Sequence, residues 1–209
     1  MGVPVSLLSD APDPDVSKET AVYQLGTRIA VDTPGRVTAV LFWRLPDDAG
    51  QHVGRIWSAT GQELAKVIFT NETASGWQEQ ALSPPLAIAP GLITVSVNTT
   101  GGHFAVQSDG LADPLEAGPL SSPINAGAYA DSGFPRTGSP NGYYRDIVFE
   151  PDSTGRITIT PDAAGGFVAA LDGFTAGPYT LGVTLTSESG AVMTATRAIV
   201  MPMQSTTGA

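Results

Sequence analysis

The chain has 209 residues, of which 42% are hydrophobic and 14% are charged, and this composition argues against disorder along its whole length. Its formal net charge of −10 argues against a nucleic-acid partner and against docking on a membrane of anionic lipid, because both require a basic surface. Cysteine is absent, which excludes disulfide bonds and thiolate metal sites.

Short β-strands are the elements that the composition favours. The chain holds 24 Gly and 17 Pro without a collagen-like period, so these residues are best assigned to turns between many strands. No stretch keeps the i, i+3, i+4, i+7 spacing of apolar residues that an amphipathic helix needs, and no apolar run reaches the length of a membrane span. We therefore predict an all-β protein.

Residues 1–20 predict an extended N-terminal arm. Pro4, Pro12 and Pro14 cannot donate ladder hydrogen bonds, and the segment has little apolar surface to bury. Such an arm either docks on a neighbouring subunit or stays disordered. The start of the chain also lacks the basic and apolar regions of a secretion signal, so we expect either that a leader was removed and replaced by Met or that the protein never uses one.

Residues 21–150 predict a jelly-roll-like antiparallel β-sandwich. Alternating apolar and polar residues, separated by turns that contain Gly, indicate strands that bury one face. Pro84 and Pro85 place one strand at a sheet edge, because proline lacks the backbone donor. Residues 107–141 predict a long loop, which in a compact domain is functional or held by its own contacts. The predicted strands are residues 22–29, 36–43, two within 52–78, then 80–87, 92–99 and 143–149.

Residues 156–203 predict a second, smaller β domain after a short linker. Its last two strands form a hairpin with a Ser-Glu-Ser-Gly tip, and the segment resembles the C-terminal half of bacterial immunoglobulin-like repeats. A sandwich of roughly 50 residues is marginal alone, so we expect it to pack on the first domain or on another subunit. Residues 204–209 predict a frayed tail. The predicted strands are residues 156–160, 167–171, 179–187 and 191–201.

Several short blocks between residues 23 and 149 occur in a characteristic order. They are Gln24-Leu25-Gly26, His52 with Trp57, Gly61 with Leu64-Ala65, Phe69 with residues 72–78 (ETASGWQ), Gly102-His103-Phe104, Gly118-Pro119-Leu120, Gly133-Phe134-Pro135 and residues 144–149. With these blocks the chain resembles a bacterial domain family of unassigned function that occurs in secreted glycosidases and surface proteins beside immunoglobulin-like repeats. Residues 144–146 (Tyr-Arg-Asp) depart from the aromatic-Trp-Val-Asp ending of that family. The resemblance implies a non-catalytic β-sandwich accessory domain and names no ligand.

Aromatic side chains supply the candidate binding residues. Trp43 and Trp57 follow or end buried strands and are predicted to lie in the core. Trp77 follows a Ser-Gly turn and either offers its ring to a sugar or packs on the preceding loop, while the aromatics of the long loop either anchor it or form a contact surface. The candidate ligand-binding residues are Trp77, His103, Tyr129, Phe134, Tyr143 and Tyr144.

Catalytic and metal chemistry have weaker support. No nucleophile stands in a recognisable motif and no two carboxylates are selected by their spacing, so we predict that the protein is not an enzyme. His52 and His103 either share a binding edge or a weak metal site, or hydrogen-bond to loops. No cofactor is predicted. A structural calcium ion is one further hypothesis, with Asp109 and Asp146 as its ligands and Asp113 and Asn125 as additional oxygen donors.

Two functions from different settings fit these observations. The first is a structural or adhesion protein at the surface of a bacteriophage virion, as a head-decoration or tail-fibre component with weak binding to host glycans. The alternative is a secreted carbohydrate-binding module of a glycosidase or surface protein. In either setting the expected partners are other virion or surface proteins and cell-surface glycans, and we expect a homo-oligomer or a larger assembly.

Overall fold

A computed structural model describes residues 3–9, 11 and 13–152, together with four strands between residues 156 and 201. The described residues belong to two compact units, of which one spans Val3–Asp152. All regular elements in these ranges are β-strands, as the all-β prediction requires. No helix in the described part of the chain is long and apolar enough to cross a bilayer.

The first unit contains thirteen strands between its described ends. They are β1 (Asp15–Val16), β2 (Gln24–Val31), β3 (Gly35–Arg44), β4 (Val53–Ser58), β5 (Glu63–Ile68), β6 (Gly76–Ile88), β7 (Gly91–Asn98), β8 (Ala105–Val106), β9 (Glu116–Ala117), β10 (Leu120–Ser121), β11 (Gly127–Ala130), β12 (Thr137–Ser139) and β13 (Arg145–Pro151).

Two antiparallel sheets make the sandwich. The larger sheet has the order β12-β11-β2-β7-β4-β5, with β10 also paired to β2 and β9 paired to β10, and the smaller has the order β13-β3-β6. Strand β6, which contains Pro84 and Pro85, lies at an edge as predicted, where a missing backbone donor is tolerated. The sandwich predicted from the alternation is therefore confirmed.

The hydrophobic core lies between these sheets. Alternate side chains of each strand point inward, so each sheet contributes a row of β-branched, leucine or phenylalanine side chains to one cluster. Fully buried members from the larger sheet are Ile29, Ile56, Val95 and Val97, and those from the smaller sheet are Val37, Val40, Phe42, Ile147 and Phe149.

The described part of the predicted N-terminal arm packs on its own unit. Val5 exchanges two backbone hydrogen bonds of 2.9 Å with Phe149, and Leu7 and Leu8 are buried in the core. Farther along, β1 pairs with β8. The two leucines supply the apolar surface that lets this segment pack. The segment was predicted to have little apolar surface because prolines and aspartates surround these leucines in the sequence. Residues 5–8 are called the N-terminal segment below.

The region predicted as one long loop, residues 107–141, carries four short strands. Strands β10 and β11 both pair with β2, and so extend the larger sheet. Each strand has only two to four residues, which is too short for alternation to show. Pairing with a longer strand, rather than local pattern, fixes their structure.

The second unit contains two antiparallel strand pairs in its described part. Strand β14 (Arg156–Pro161) pairs with β15 (Phe167–Asp172), and β16 (Gly177–Thr186) pairs with β17 (Val192–Met201). The strand positions agree with those predicted to within a few residues. The predicted hairpin tip at residues 187–190 and the tail at residues 204–209 lie outside the described residues, and the immunoglobulin-like character of this unit stays a prediction.

Candidate functional site

An open aromatic cleft is the site in the first unit best suited to a ligand. It consists of two adjoining depressions of about 560 Å³ and 370 Å³ that share Glu19, Phe104, Asn141 and Tyr143 in their walls. Each volume falls within the range of ligand pockets, roughly 300–1,000 Å³. The remaining lining residues are Asp15, Val16, Ser17, Lys18, Tyr23, Leu25, Val106, Ser108, Tyr129 and Ser139.

A small aromatic cluster forms the floor of the cleft. The ring of Phe104 lies edge-on to Tyr23 at 6.1 Å and to Tyr143 at 6.2 Å between centroids. Leu25, Phe104 and Tyr143 are buried, and Tyr23 packs against them. Edge-to-face contacts of this kind are favourable for aromatic pairs, so the rings of the floor stabilise one another.

Tyr129 is the most exposed ring of the cleft, with 37% of its surface accessible. Strand β11 positions it, because Tyr129 pairs with Leu25 of β2 on one side and with Thr137 of β12 on the other. Gly127 of the same strand has no side chain, and a Cβ there would overlap the carbonyl oxygen of Asn141. This close approach accompanies the placement of Asn141 in the cleft lining, which also contains Glu19.

Polar groups of the cleft retain hydrogen-bonding capacity for a ligand. The Tyr143 hydroxyl donates to Ser139 Oγ at 3.1 Å and can still accept. Asn141 Oδ1 accepts from the Asp109 backbone N–H at 3.2 Å, so its Nδ2 group is the end that can donate. The Tyr23 hydroxyl donates to Glu19 at 3.0 Å, and this bond raises the pKa of Tyr23.

Tyr143 and Tyr144 are adjacent in sequence but serve different parts of the molecule. Tyr144 has a φ of 55°, in the left-handed region that bulky residues rarely adopt. Tyr143 joins the cleft, while Tyr144 is buried beside Trp43 and Trp77 and donates to Gln107 Oε1 at 3.1 Å. Burial, followed by the charges of Asp15 and Asp13, raises the pKa of Tyr144.

Trp77 and Phe134, which were predicted as ligand-binding residues, are placed elsewhere by the structure. Trp77 is half-buried and packs edge-on against Trp43 at 5.7 Å, so it belongs to a structural cluster. Phe134 packs against the buried ring of Trp57 at 5.7 Å and closes over Gly61, where a Cβ would crowd its ring. Phe134 thus anchors the long loop.

His103 binds a neighbouring loop. Its Nδ1 lies 2.5 Å from Asp47 Oδ2, and its backbone N–H donates to the same oxygen at 3.1 Å. Hydrogen bonds from His103 lower the pKa of Asp47. Of the six predicted ligand-binding residues, Tyr129 and Tyr143 are therefore the two that the structure brings together in the cleft.

A buried polar cluster around His52 was not predicted from the sequence. His52 is fully buried, with Nδ1 2.8 Å from Glu72 Oε2 and Nε2 3.2 Å from Asp48 Oδ2. The contact to Glu72 is a hydrogen bond, whereas the contact to Asp48 is close but lacks hydrogen-bond alignment. Arg44 approaches Glu72 at 3.5 Å. The cluster connects the loop after β3 to the loop before β6.

Asp48 and Arg145 extend this cluster. Burial alone would raise the pKa of Asp48, but the contacts with His52 and with Thr100, whose backbone N–H and hydroxyl both donate, lower it overall. Arg145 is fully buried over the ring of Phe42, and its Nη1 donates to the Tyr143 carbonyl oxygen. Burial lowers the pKa of Arg145 to about 10, against the opposing charge of Asp48.

Asp146 holds the N-terminal segment, which makes it unsuitable as a calcium ligand. Its carboxylate accepts backbone hydrogen bonds from Leu7 at 3.3 Å, Leu8 at 2.7 Å and Ile147 at 2.8 Å. These N–H groups point at the oxygens that a cation would need. Asp109, the other predicted ligand, is exposed, and within the described ranges no three His, Cys, Asp or Glu side chains are grouped to hold a metal.

A second cavity of about 300 Å³ lies beneath the N-terminal segment. Its walls are mostly apolar, from Leu7, Leu8, Leu111 and Leu115, with Tyr144 at one side. It offers few polar groups to orient a ligand. The aromatic cleft, with the exposed ring of Tyr129 and free hydrogen-bonding groups, is the better candidate site.

The charged cluster around His52 allows a direct test of its structural role. Replacing Glu72 with Gln puts an amide N–H₂ where an oxygen now faces His52 or Arg44, and we expect the free energy of unfolding to fall by about 1–3 kcal/mol. The matched control is Glu63→Gln, which disrupts an exposed ion pair with Arg55 of 3.3 Å and should cost less than about 1 kcal/mol. Urea denaturation measures both. Equal losses of unfolding free energy in the two variants would show that the buried cluster stabilises the fold no more than a surface ion pair does.

Comparison with known proteins identifies the family of the first unit. A family model described as Domain of unknown function (DUF4082) matches residues 9–145, and a search of curated proteins found no match. The match begins before the blocks recognised in the sequence and includes the cleft residues Tyr129, Asn141 and Tyr143. Since it spans more than half of the sequence, the chain belongs to the DUF4082 family of domains.

Proposed function

We propose that this chain is a non-catalytic β-sandwich module that binds a glycan in the aromatic cleft. The observation that carries the proposal is the placement of the exposed Tyr129 ring beside polar groups with unused hydrogen-bonding capacity, over the buried floor of Phe104 and Tyr143. A pyranose has an apolar C–H face and a rim of hydroxyl groups. An aromatic ring can stack on the apolar face of the sugar. Amide, hydroxyl and carboxylate groups can form hydrogen bonds with the hydroxyl groups of its rim.

Binding without cleavage is supported by where the carboxylates lie. A glycosidase needs two carboxyl groups flanking the scissile bond, about 5–9.5 Å apart. Asp15 and Glu19 are the carboxylates of the cleft lining and come from one short stretch of chain, whereas Tyr129, Ser139 and Asn141 supply no carboxylate. The histidines, meanwhile, are held by Glu72 and Asp47.

Tyr129→Ala is the variant that tests this function. Loss of the stacking ring should weaken glycan affinity about tenfold, which corresponds to about 1.4 kcal/mol of lost apolar burial. Affinity electrophoresis through gels that contain neutral plant, fungal and bacterial polysaccharides measures the affinity. Because the side chain is 37% exposed, the variant should fold normally.

The matched control is Ile124→Ala, which removes another exposed apolar side chain of the same long loop outside the cleft lining. This variant should be retarded like the unmodified protein. If no polysaccharide retards the unmodified protein, or if both variants lose the same affinity, the cleft is not a glycan site.

The protein or particle to which such a module is attached is a separate part of the proposal. Attachment to secreted glycosidases or surface proteins beside immunoglobulin-like repeats would place the cleft next to polysaccharide substrates. Display on a bacteriophage virion would place it against host-surface glycans. Both settings use the same binding chemistry, and both stay predictions.

A further inference from the structure

We infer that the cleft selects glycans without acidic groups, and that Asp15 and Glu19 exclude chains bearing carboxylate or sulfate. The inference rests on the proposed function, because it names the class of glycan that the same cleft would accept.

The cleft lining carries more negative than positive charge. It contains the carboxylates of Asp15 and Glu19 and one cation, Lys18. One further carboxylate, that of Asp131, stands close enough to act on the cleft residue Tyr23. The chain as a whole carries a net charge of −10, so its field reinforces rather than offsets this local excess.

Glu19 has the geometry to discriminate directly. One of its oxygens, Oε2, accepts the Tyr23 hydroxyl at 3.0 Å, which fixes the carboxylate at the edge of the aromatic floor. Its other oxygen can accept a bond from a sugar hydroxyl, since an ionised carboxylate is an acceptor only. A uronate or sulfate in the same place would bring two acceptors and two like charges together. The residue that pairs with a neutral sugar therefore repels an acidic one.

Lys18 does not reverse this preference. Its side chain is exposed and lies between Asp15 and Glu19 in sequence, and the two carboxylates outnumber its single positive charge in the lining. The adjoining depression adds Tyr129, Ser139 and Asn141 to the lining, and none of these is a cation. Lys18 is thus the one cation in the cleft lining that an acidic glycan would meet, against the two carboxylates.

The experiment compares one glycan chain in two forms, for example dextran with dextran sulfate and hydroxyethyl cellulose with carboxymethyl cellulose. Each pair is used at about 0.05 M and 0.3 M salt, because electrostatic exclusion weakens as salt screens it. The unmodified protein should be retarded by a neutral form and not by its acidic counterpart. The double variant Asp15→Asn/Glu19→Gln should raise the ratio of acidic to neutral affinity by about tenfold at low salt and by less at high salt.

The control must make the same change in net charge away from the cleft. Asp32→Asn/Glu79→Gln replaces two exposed carboxylates outside the cleft lining and should leave the affinity ratio within about twofold of the unmodified protein. Thermal melts of both double variants verify that each is folded.

Each outcome has one meaning. A higher ratio in the cleft variant alone supports the inference. The inference is wrong if the unmodified protein binds the acidic form as tightly as the neutral form. It is also wrong if the two double variants have the same ratio of acidic to neutral affinity. Either result leaves the proposed glycan binding unaffected. If no polysaccharide, neutral or acidic, retards any of the proteins, the proposed function is wrong and this inference is wrong with it.

Discussion

Asp146→Asn is expected to remove a fall in stability that the unmodified protein shows between about pH 4 and pH 6. Burial raises the pKa of Asp146 from 3.8 to about 6, in spite of the hydrogen bonds from Leu8, Ile147 and Leu7 that oppose the shift. The folded state therefore holds this proton more tightly than the unfolded state. The stabilisation is complete below about pH 4 and is lost as the pH rises through about 6.

The size of this effect follows from the shift. About two pKa units correspond to about 3 kcal/mol between the two ends of the window. In the asparagine variant no proton titrates at this position, so the difference in unfolding free energy between the two proteins should change by that amount from pH 4 to pH 7. Other titrating groups contribute equally to both proteins and cancel in the difference.

Asp48→Asn is the matched control for this pH profile. The pKa of Asp48 is lowered, so its contribution is present above about pH 4 and is lost as the pH falls below that value. The two carboxylates thus act in neighbouring pH windows with opposite signs. Urea denaturation at a series of pH values measures the profiles. If the stability profiles of the unmodified protein and Asp146→Asn run parallel from pH 4 to pH 7, Asp146 does not have a raised pKa in the folded state.

Phe42→Ala is expected to cost about 3–5 kcal/mol of unfolding free energy, the usual range for removal of a buried phenylalanine ring. Phe42 is fully buried in β3, the central strand of the smaller sheet. Its ring contacts those of His52 at 4.5 Å and Phe69 at 4.8 Å, and the Arg145 guanidinium lies 5.8 Å from its centroid. Truncation would open a cavity between the hydrophobic core and the buried charges.

Tryptophan fluorescence during urea unfolding is the suitable measurement. All three tryptophans, Trp43, Trp57 and Trp77, lie in the first unit, so their emission reports on that unit without a contribution from the second. For a unit of this size a loss of about 4 kcal/mol corresponds to roughly 10 °C in the melting temperature. The neighbouring residue gives the control, since Leu41 points to the opposite, half-exposed face of the same strand. Leu41→Ala should cost less than half as much, and equal costs would refute the placement of the core.

Paired strands position the cleft residues, although these residues come from weakly patterned segments. Of the floor residues, Leu25 belongs to β2, Phe104 immediately precedes β8, and Tyr143 lies just before β13. Residues 15–19 form one wall, held by β1 and by Ser17, whose hydroxyl accepts the Phe104 backbone N–H at 3.0 Å. The groups proposed to contact a ligand thus stand on short irregular segments, and the paired strands behind them hold these segments in place.

The sequence by itself determined the all-β class, most strand positions and the edge location of β6. These depend on alternation and on proline chemistry, which act over a few residues and can be recognised without a structure. The absence of cysteine and the acidic charge likewise limited the possible chemistry. Tyr129 and Tyr143 were predicted as candidates because aromatic residues in a region rich in Gly, Pro and Ser either anchor that region or face a ligand.

Only the tertiary structure decided which side chains meet. The bond from Leu8 to Asp146 joins residues 138 positions apart, and the contact between His52 and Glu72 crosses two loops. Trp77 and Phe134 resemble surface residues in sequence, yet each packs on a tryptophan from another strand. Local pattern indicates whether a residue faces inward or outward. The partner it meets depends on sheet pairing and chain reversal, and these bring the Tyr129 ring, the Asn141 amide and the Glu19 carboxylate to one cleft.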